Sequence, residues 1–231
     1  GLDLKLSAGR VAGLVGPNGS GKSTILRIVV GLLAPDDGVV TVVGAPAGSV
    51  TARAAIGYVP DEPSGLDELS VDELVDLIAA LYGSPSGYKD RADALLAAFA
   101  LDMRVASRLG SLSHGLRRSA AMTVAFALAP ALLVIDEATA ALDPEAVVVL
   151  REALRALAAG GSAVLLATQD LTFAEAVCDE VSLLSRGRLL AHGSPEELRA
   201  NFASETLEEV FLNVVGCPSR LEELSGVFGS R

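Results

Sequence analysis

Cysteine and histidine are nearly missing from this chain of 231 residues, which has two of each. Cys178 and Cys217 stand far apart and no CxxC occurs. That excludes a disulfide framework and leaves no ligand set for a zinc site, so the expected setting is reducing. Positive charge is scarce too: 18 Lys and Arg face 29 Asp and Glu, for a formal net charge of −11. General binding to nucleic acid or to an anionic lipid surface needs clustered cations, and this balance argues against both. No internal repeat and no low-complexity linker is present. Long hydrophobic runs are lacking as well. The longest, Ala120 to Ile135, contains Thr123 and Pro130 and runs straight into Asp136 and Glu137. It is too short and too interrupted to span a bilayer, and it reads as a buried helix, a break at Pro130 and a buried strand.

What the chain does have is an apolar content of 51%, which suits a globular α/β protein of one large domain or a domain with a smaller lobe. It also has the stretch GPNGSGKST from Gly16 to Thr24. This fits GxxxxGK[ST], with an apolar run from Val11 to Val15 before it and a helix-like segment from Ser23 to Gly31 after it, the strand, loop and helix order that a phosphate loop requires. Glycines let backbone N–H groups turn inward around phosphate oxygens, and the start of the helix adds partial positive charge. Lys22 supplies a point charge to the outer phosphates, and the Ser23 hydroxyl is placed to ligate Mg²⁺. Gly16, Asn18, Gly19, Ser20, Gly21, Lys22, Ser23 and Thr24 form the candidate nucleotide-binding set.

Along the chain, alternating Leu2, Leu4 and Leu6 predict a half-buried strand turning at Ala8-Gly9. The chain begins at Gly1 in the middle of that pattern, which leads us to expect a missing N-terminal piece. Val39 to Val43 and Ile56 to Val59 predict further strands, the second ending in the rigid Pro60-Asp61-Glu62-Pro63. From Ser70 to about Ala129 the pattern is helical. Ser70 and Glu73 form a capping box, Val71, Leu74, Ile78 and Leu81 trace an apolar face, and Tyr88 to Ala100 predicts a second helix. A third opens at Leu112-Ser113-His114-Gly115 and carries Leu116, Arg117 and Arg118. Strands resume at Ala131 to Ile135, at Ala163 to Ala167 and in a closing pair around Gly187, while Asp143, Ser194 and Thr206 cap helices.

The strand Leu132 to Ile135 ends in Asp136-Glu137, two carboxylates at the strand edge where parallel sheets bind ligands. Asp136 is placed to hold Mg²⁺ through water, and Glu137 to orient or deprotonate an attacking water.

With these residues in place the chain resembles the ATP-binding subunit of ABC transporters over nearly its whole length. The likeness is carried in order by GPNGSGKST, IGYVPDEP, LSHGLRR, LLVIDEATAALD and LLATQDLTFAEAVCDEV. The closing GSPEELRANFASETLEEVFLNVVG is similar to bacterial ABC-2-type exporter ATPases. The resemblance implies an α/β P-loop NTPase fold: a core with a mostly parallel sheet, an antiparallel β part on the N-terminal side and an inserted helical lobe. It places the core and β subdomain in residues 1–60 and 130–200, the helical subdomain with the signature segment in 61–129, and a C-terminal helix and tail in 201–231. It implies an ATPase using ATP and Mg²⁺, paired head to tail with a second ATP-binding subunit as a homo- or heterodimer. A transmembrane permease subunit, no nucleic acid partner, and a cytoplasmic station on the inner face of the membrane complete the picture. Related DNA-repair ATPases carry a long coiled-coil insertion that is absent here.

In such a pair Ser113 and Gly115 of one subunit contact the γ-phosphate held by Lys22 of the other. Ser113 is equally suited to cap its own helix, and the two roles are compatible. Three segments depart from the family pattern. Asp61 stands where Gln usually reaches the metal and water, and His114 and Leu116 alter the LSGGQ signature. Gln169 replaces the histidine that links the γ-phosphate to the catalytic carboxylate. Gln169 can donate a hydrogen bond but cannot become cationic, and losing one such contact costs on the order of 10²- to 10³-fold in rate. The catalytic candidates are therefore Glu137 and Gln169, and the metal candidates Ser23, Asp136 and Asp61. An alternative follows from the same departures: a weakly hydrolysing nucleotide switch within a heteromeric complex. No residue matches the family's adenine-stacking aromatic, and Tyr58, Tyr82 and Tyr88 are read as packing residues.

Overall fold

The computed structural model describes residues 2–215. The expected tail beyond Val215, and with it Cys217, lies outside the described residues. Six strands form the central sheet in the order β4 (Ile56–Val59), β5 (Leu132–Ile135), β6 (Ala163–Thr168), β1 (Val11–Val15), β7 (Glu180–Ser185) and β8 (Arg188–Gly193). All neighbours are parallel except β7 and β8, which form an antiparallel hairpin. The strands are continuous apolar runs because both faces are covered, as parallel sheets demand. Side chains alternate between two packed layers: Val11, Val15, Leu133, Ile135, Val164 and Leu166 enter one, and Ala12, Leu14, Leu132, Val134, Leu165 and Ala167 the other.

The smaller layer is closed by α1 (Lys22–Val29), the β2 (Thr41–Val42) and β3 (Ala45–Pro46) hairpin, and α2 (Val50–Ala54). The larger layer takes in α3 (Val71–Leu81), α4 (Tyr88–Ala98), α5 (His114–Ala127), α6 (Pro144–Ala159), α7 (Leu171–Val177), α8 (Pro195–Asn201) and α9 (Leu207–Val215). One buried cluster runs from the sheet through α5 into α3 and α4 without interruption. Local chemistry sets the helix starts. Ser70 with Glu73 and Ser194 with Glu197 close reciprocal capping boxes, and Asp143 accepts from the Ala146 N–H ahead of Pro144.

Three expectations need correction. Residues 2–6 show the alternating exposure of a strand, and Leu4 and Leu6 pack on the smaller layer, but no strand pairs with them among the described residues. The strand over Val39 to Val43 shrinks to Thr41–Val42, because Val43 (φ 46°) and Gly44 (φ 78°) form a two-residue turn into β3. Leu81 is 69% exposed. Val75 takes its place on the buried face of α3, since that helix leaves the core in its last turn.

The register decides where the site lies. Val59 pairs with Ile135, Ile135 with Leu166, and Thr168 with Val15, so β4, β5, β6 and β1 end within about one pleat of each other. The residues that follow them, at 60–61, 136–137, 169 and 16–24, are delivered to one edge of the sheet.

Candidate nucleotide-binding and catalytic site

Two glycines of the loop after β1 have left-handed backbone, Gly19 (φ 77°) and Gly21 (φ 103°). Gly16 is needed for space: a Cβ there would lie 2.1 Å from the Leu184 carbonyl oxygen. Gly21 is the N-cap of α1, so the free N–H groups of that helix open into the loop. An open pocket of about 200 Å³ is lined by Asn18, Gly19, Gly21, Lys22, Ser23, Thr24, Asp61 and Glu137. Ser20 is buried beneath it, and its Oγ has no hydrogen-bond partner among the described residues.

Lys22 is 4% exposed, and its Nζ donates to the Gly16 carbonyl at 2.8 Å and the Pro17 carbonyl at 3.3 Å. The same Nζ lies 2.9 Å from Glu137 Oε1. Ser23 Oγ donates to Asp136 Oδ1 at 2.9 Å. Burial pushes the Asp136 carboxyl above the usual range, with the Ser23 hydrogen bond opposing and the charges of Asp61 and Glu137 adding to the rise. The cationic and anionic groups of the site thus meet in two short pairs, Lys22 with Glu137 and Ser23 with Asp136.

Oxygen donors of Ser23 and Asp136, with Asp61 in the pocket lining, suit a hard divalent cation. No cluster of three or more His, Cys, Asp or Glu suited to a metal occurs among the described residues. One or two carboxylates together with substrate phosphates and water are the usual ligands of Mg²⁺.

Gln169 lies one residue beyond β6, exposed and outside the pocket lining. Ser113 and Gly115 are not at this pocket either. Ser113 caps α5, accepting from the Leu116 N–H at 3.3 Å. Gly115 abuts the loop after β5, where a Cβ would lie 2.4 Å from the Ala141 carbonyl oxygen. Of the three tyrosines, Tyr88 is buried, Tyr58 is half-buried in the smaller layer, and Tyr82 donates to the Ile56 carbonyl at 2.9 Å.

One residue of the site goes unrecognised in the sequence pattern. Arg118 is fully buried, and its guanidinium donates to the carbonyls of Pro60 (3.1 Å), Asp61 (2.6 Å), Asp136 and Glu137. A signal existed: Arg118 opens the run RSAAMTVAFALA, where helical spacing places it with Met122 and Phe126 on the buried face of α5. A cation there requires several acceptors.

Strand-loop-helix geometry, a buried lysine, and a hydroxyl paired with a carboxylate at the C-terminal edge of a parallel sheet define a P-loop nucleotide-binding protein. The family model described as ABC transporter matches residues 1–140. The chain is 38% identical to Nod factor export ATP-binding protein I of Rhizobium sp. (strain N33), over 91% of this chain and 70% of that protein. It is 36% identical to the protein of the same name from Rhizobium etli, over all of this chain and 73% of that one. A solved ATP-binding subunit of an ABC transporter superposes with a TM-score of 0.86 at 32% identity, covering 92% of this chain and 90% of that one. The chain belongs to the ABC transporter family as an ATP-binding domain, the class that hydrolyses ATP to drive transport. No helix among the described residues is long and apolar enough to cross a membrane.

Proposed function

We propose that this chain is the ATPase motor of an exporter, working as a head-to-tail pair docked on the inner face of the membrane against a separate permease subunit. The observation that carries the reading is the convergence of Lys22, Glu137, Ser23 and Asp136 in two short pairs at the mouth of the phosphate loop. Export is supported by the names of the relatives and by the similarity of the C-terminal segment to exporter ATPases.

ATP phosphates would occupy the loop from Gly16 to Thr24, with Lys22 released from Glu137 to meet the outer phosphate. Ser23 and Asp136 would hold Mg²⁺, with Asp61 reaching toward it; bound there, the ion neutralises charge on the phosphate oxygens. Glu137, freed from Lys22, is the group that orients and deprotonates water. Gln169 contributes a neutral donor at most and lowers the rate without changing the chemistry. Ser113 and Gly115 would meet the phosphate of the other subunit at the N-terminus of α5, where helix dipole and free N–H groups favour an anion.

A second, largely apolar groove of about 180 Å³ is lined by Tyr58, Pro60, Pro63, Leu66, Leu74 and Ile78 among others. Half of its lining, including Pro63, Leu66, Leu74 and Ile78, comes from the region from Asp61 to Gly87 where the family docks its membrane subunit, and it suits an apolar helix end from the permease. In the division of residues proposed here, 61–129 form the lobe that carries most of this groove and the signature segment.

The test is steady-state Mg-ATP hydrolysis by the protein and its Glu137→Gln and Gln169→His variants. Turnover that Glu137→Gln abolishes supports the motor, and Gln169→His is expected to raise the rate by up to about 10²-fold. A chain that binds ATP but turns over only as Gln169→His would sink the motor reading.

A further inference from the structure

Glu137 follows a buried strand with φ 51°, a left-handed conformation that a side chain other than glycine adopts only when its surroundings hold it there. Main-chain bonds flank that turn, the Asp136 N–H donating to the Val59 carbonyl at 2.9 Å, the Ala138 N–H to the Ala167 carbonyl at 2.9 Å and the Ala140 N–H to the Glu137 carbonyl at 3.1 Å, and Arg118 takes the carbonyls of Asp136 and Glu137. The other arm of the same guanidinium takes the carbonyls of Pro60 and Asp61. A planar fork can serve two pairs of acceptors in this way, whereas a lysine ammonium is a point charge with donors in other directions. Burial pushes the Arg118 guanidinium below its usual range, opposed by the charges of Asp61, Asp136 and Glu137. Arg118 lies one helical turn after Ser113 and Gly115 on α5.

We infer that Arg118 is a positioning residue for hydrolysis: it locks the Asp61 segment and the Asp136–Glu137 turn into one unit and ties that unit to the signature end of α5. Of the residues that line the pocket it holds Asp61 and Glu137, through their carbonyls, and none of the phosphate loop, so nucleotide binding by the loop does not depend on it. Orientation of the metal and of the attacking water does. The inference rests on the ATPase reading above, and its experiment separates the two.

The intact chain and its Arg118→Lys and Arg118→Met variants are compared in three measurements. These are ADP affinity without metal, the gain in ATP affinity on adding Mg²⁺, and kcat with KM for Mg-ATP. The expected result for Arg118→Lys is ADP affinity within about twofold of the parent and kcat reduced by roughly 10- to 100-fold, the usual effect of removing a group that orients a ligand. The Mg²⁺-dependent gain in ATP affinity should shrink at least threefold. A parent chain that never turns over counts against the ATPase reading alone, and the Mg²⁺-dependent gain then decides the role of Arg118. Unchanged kcat and unchanged Mg²⁺ dependence in a folded variant overturn the inference. So does failure of both variants to fold, shown by lost far-UV circular dichroism and lost ADP binding, because Arg118 is then a structural residue.

Discussion

Glu137 has two partners to choose between. In the structure its carboxylate lies 2.9 Å from Lys22 Nζ, with both side chains largely buried. An incoming phosphate competes for the same ammonium, so part of the binding free energy of ATP goes into separating the pair. Glu137→Gln removes that competitor while keeping the shape of the side chain. We expect metal-free ATP to bind the variant about three- to tenfold more tightly, corresponding to roughly 1 kcal/mol, while hydrolysis falls at least 10²-fold. Equilibrium titration with a fluorescent ATP analogue checks the first part. Equal or weaker binding would mean that Lys22 is already free in solution. Gly115 makes a second case at this scale. Its closest neighbour is the Ala141 carbonyl of the same chain, so Gly115→Ala must displace backbone and should cost about 1–3 kcal/mol in chemical denaturation. Ser113→Ala removes only a cap and should cost about 1 kcal/mol. If both variants prove equally mild, the Gly115 contact is not a packing constraint and the glycine is free for another role.

Elements explain what the sequence could and could not tell. Strands β1, β4, β5 and β6 were legible because each is a short apolar run bounded by turn residues and buried on both faces, and the capped helices because their caps are local chemistry. The edges were less legible. The pattern at Leu2, Leu4 and Leu6 predicts which side chains face inward but not whether a neighbouring strand offers a ladder, and pairing is a tertiary fact. The pocket was legible from the phosphate loop and from Asp136-Glu137. The burial of Arg118 was legible in its helical spacing but its place in the site was not, because its four acceptors are main-chain carbonyls of two other segments and leave no side-chain pattern to read. Helix α4 supplies a prediction of its own. Its first residue, Tyr88, is buried, and its hydroxyl has no partner among the described residues. Burial, with the charge of Asp76 adding, pushes the phenol up to about 12. Folding therefore retains a proton that the unfolded chain releases near pH 10, and this contribution to stability is lost as pH rises from about 10 through about 12. Tyr88→Phe should leave stability at pH 7 unchanged or raised by up to about 1 kcal/mol, since an unsatisfied hydroxyl leaves the core. The fall in melting temperature above pH 10 should be shallower in the variant, though not gone, because burial also pushes Tyr58 and Tyr82 up. A loss at pH 7 well beyond 1 kcal/mol would reveal a hydrogen bond to that hydroxyl.

For the molecule as a whole, the question is why the signature segment and the phosphate loop of one chain stay apart. Lys22, Ser23 and Glu137 line the pocket at the sheet edge, whereas Ser113 and Gly115 begin α5 against the Ala141 loop. A site that uses both sets must draw them from two copies, which is the pairing proposed above. Two kinds of damaged chain then become complementary. Lys22→Ala spoils the phosphate loop but leaves its own Ser113 free to serve a partner, and Ser113→Arg does the reverse. Each variant alone should hydrolyse Mg-ATP at least 10²-fold more slowly than the parent, because every composite site in its dimers carries the defect. In an equal mixture, random pairing makes about half of the dimers mixed, and each mixed dimer carries one undamaged site. If the two sites act independently, the mixture recovers roughly a quarter of the parental rate. It should lose that gain on dilution, because pairing is concentration-dependent by mass action. Sites that must fire together would give no recovery even though the mixed dimer forms, so the dimer population is followed in parallel by analytical ultracentrifugation. Mixed dimers with no recovery argue for obligate coupling of the two sites. Full activity of Ser113→Arg alone would instead remove the signature segment from the site and leave a motor that works within a single chain.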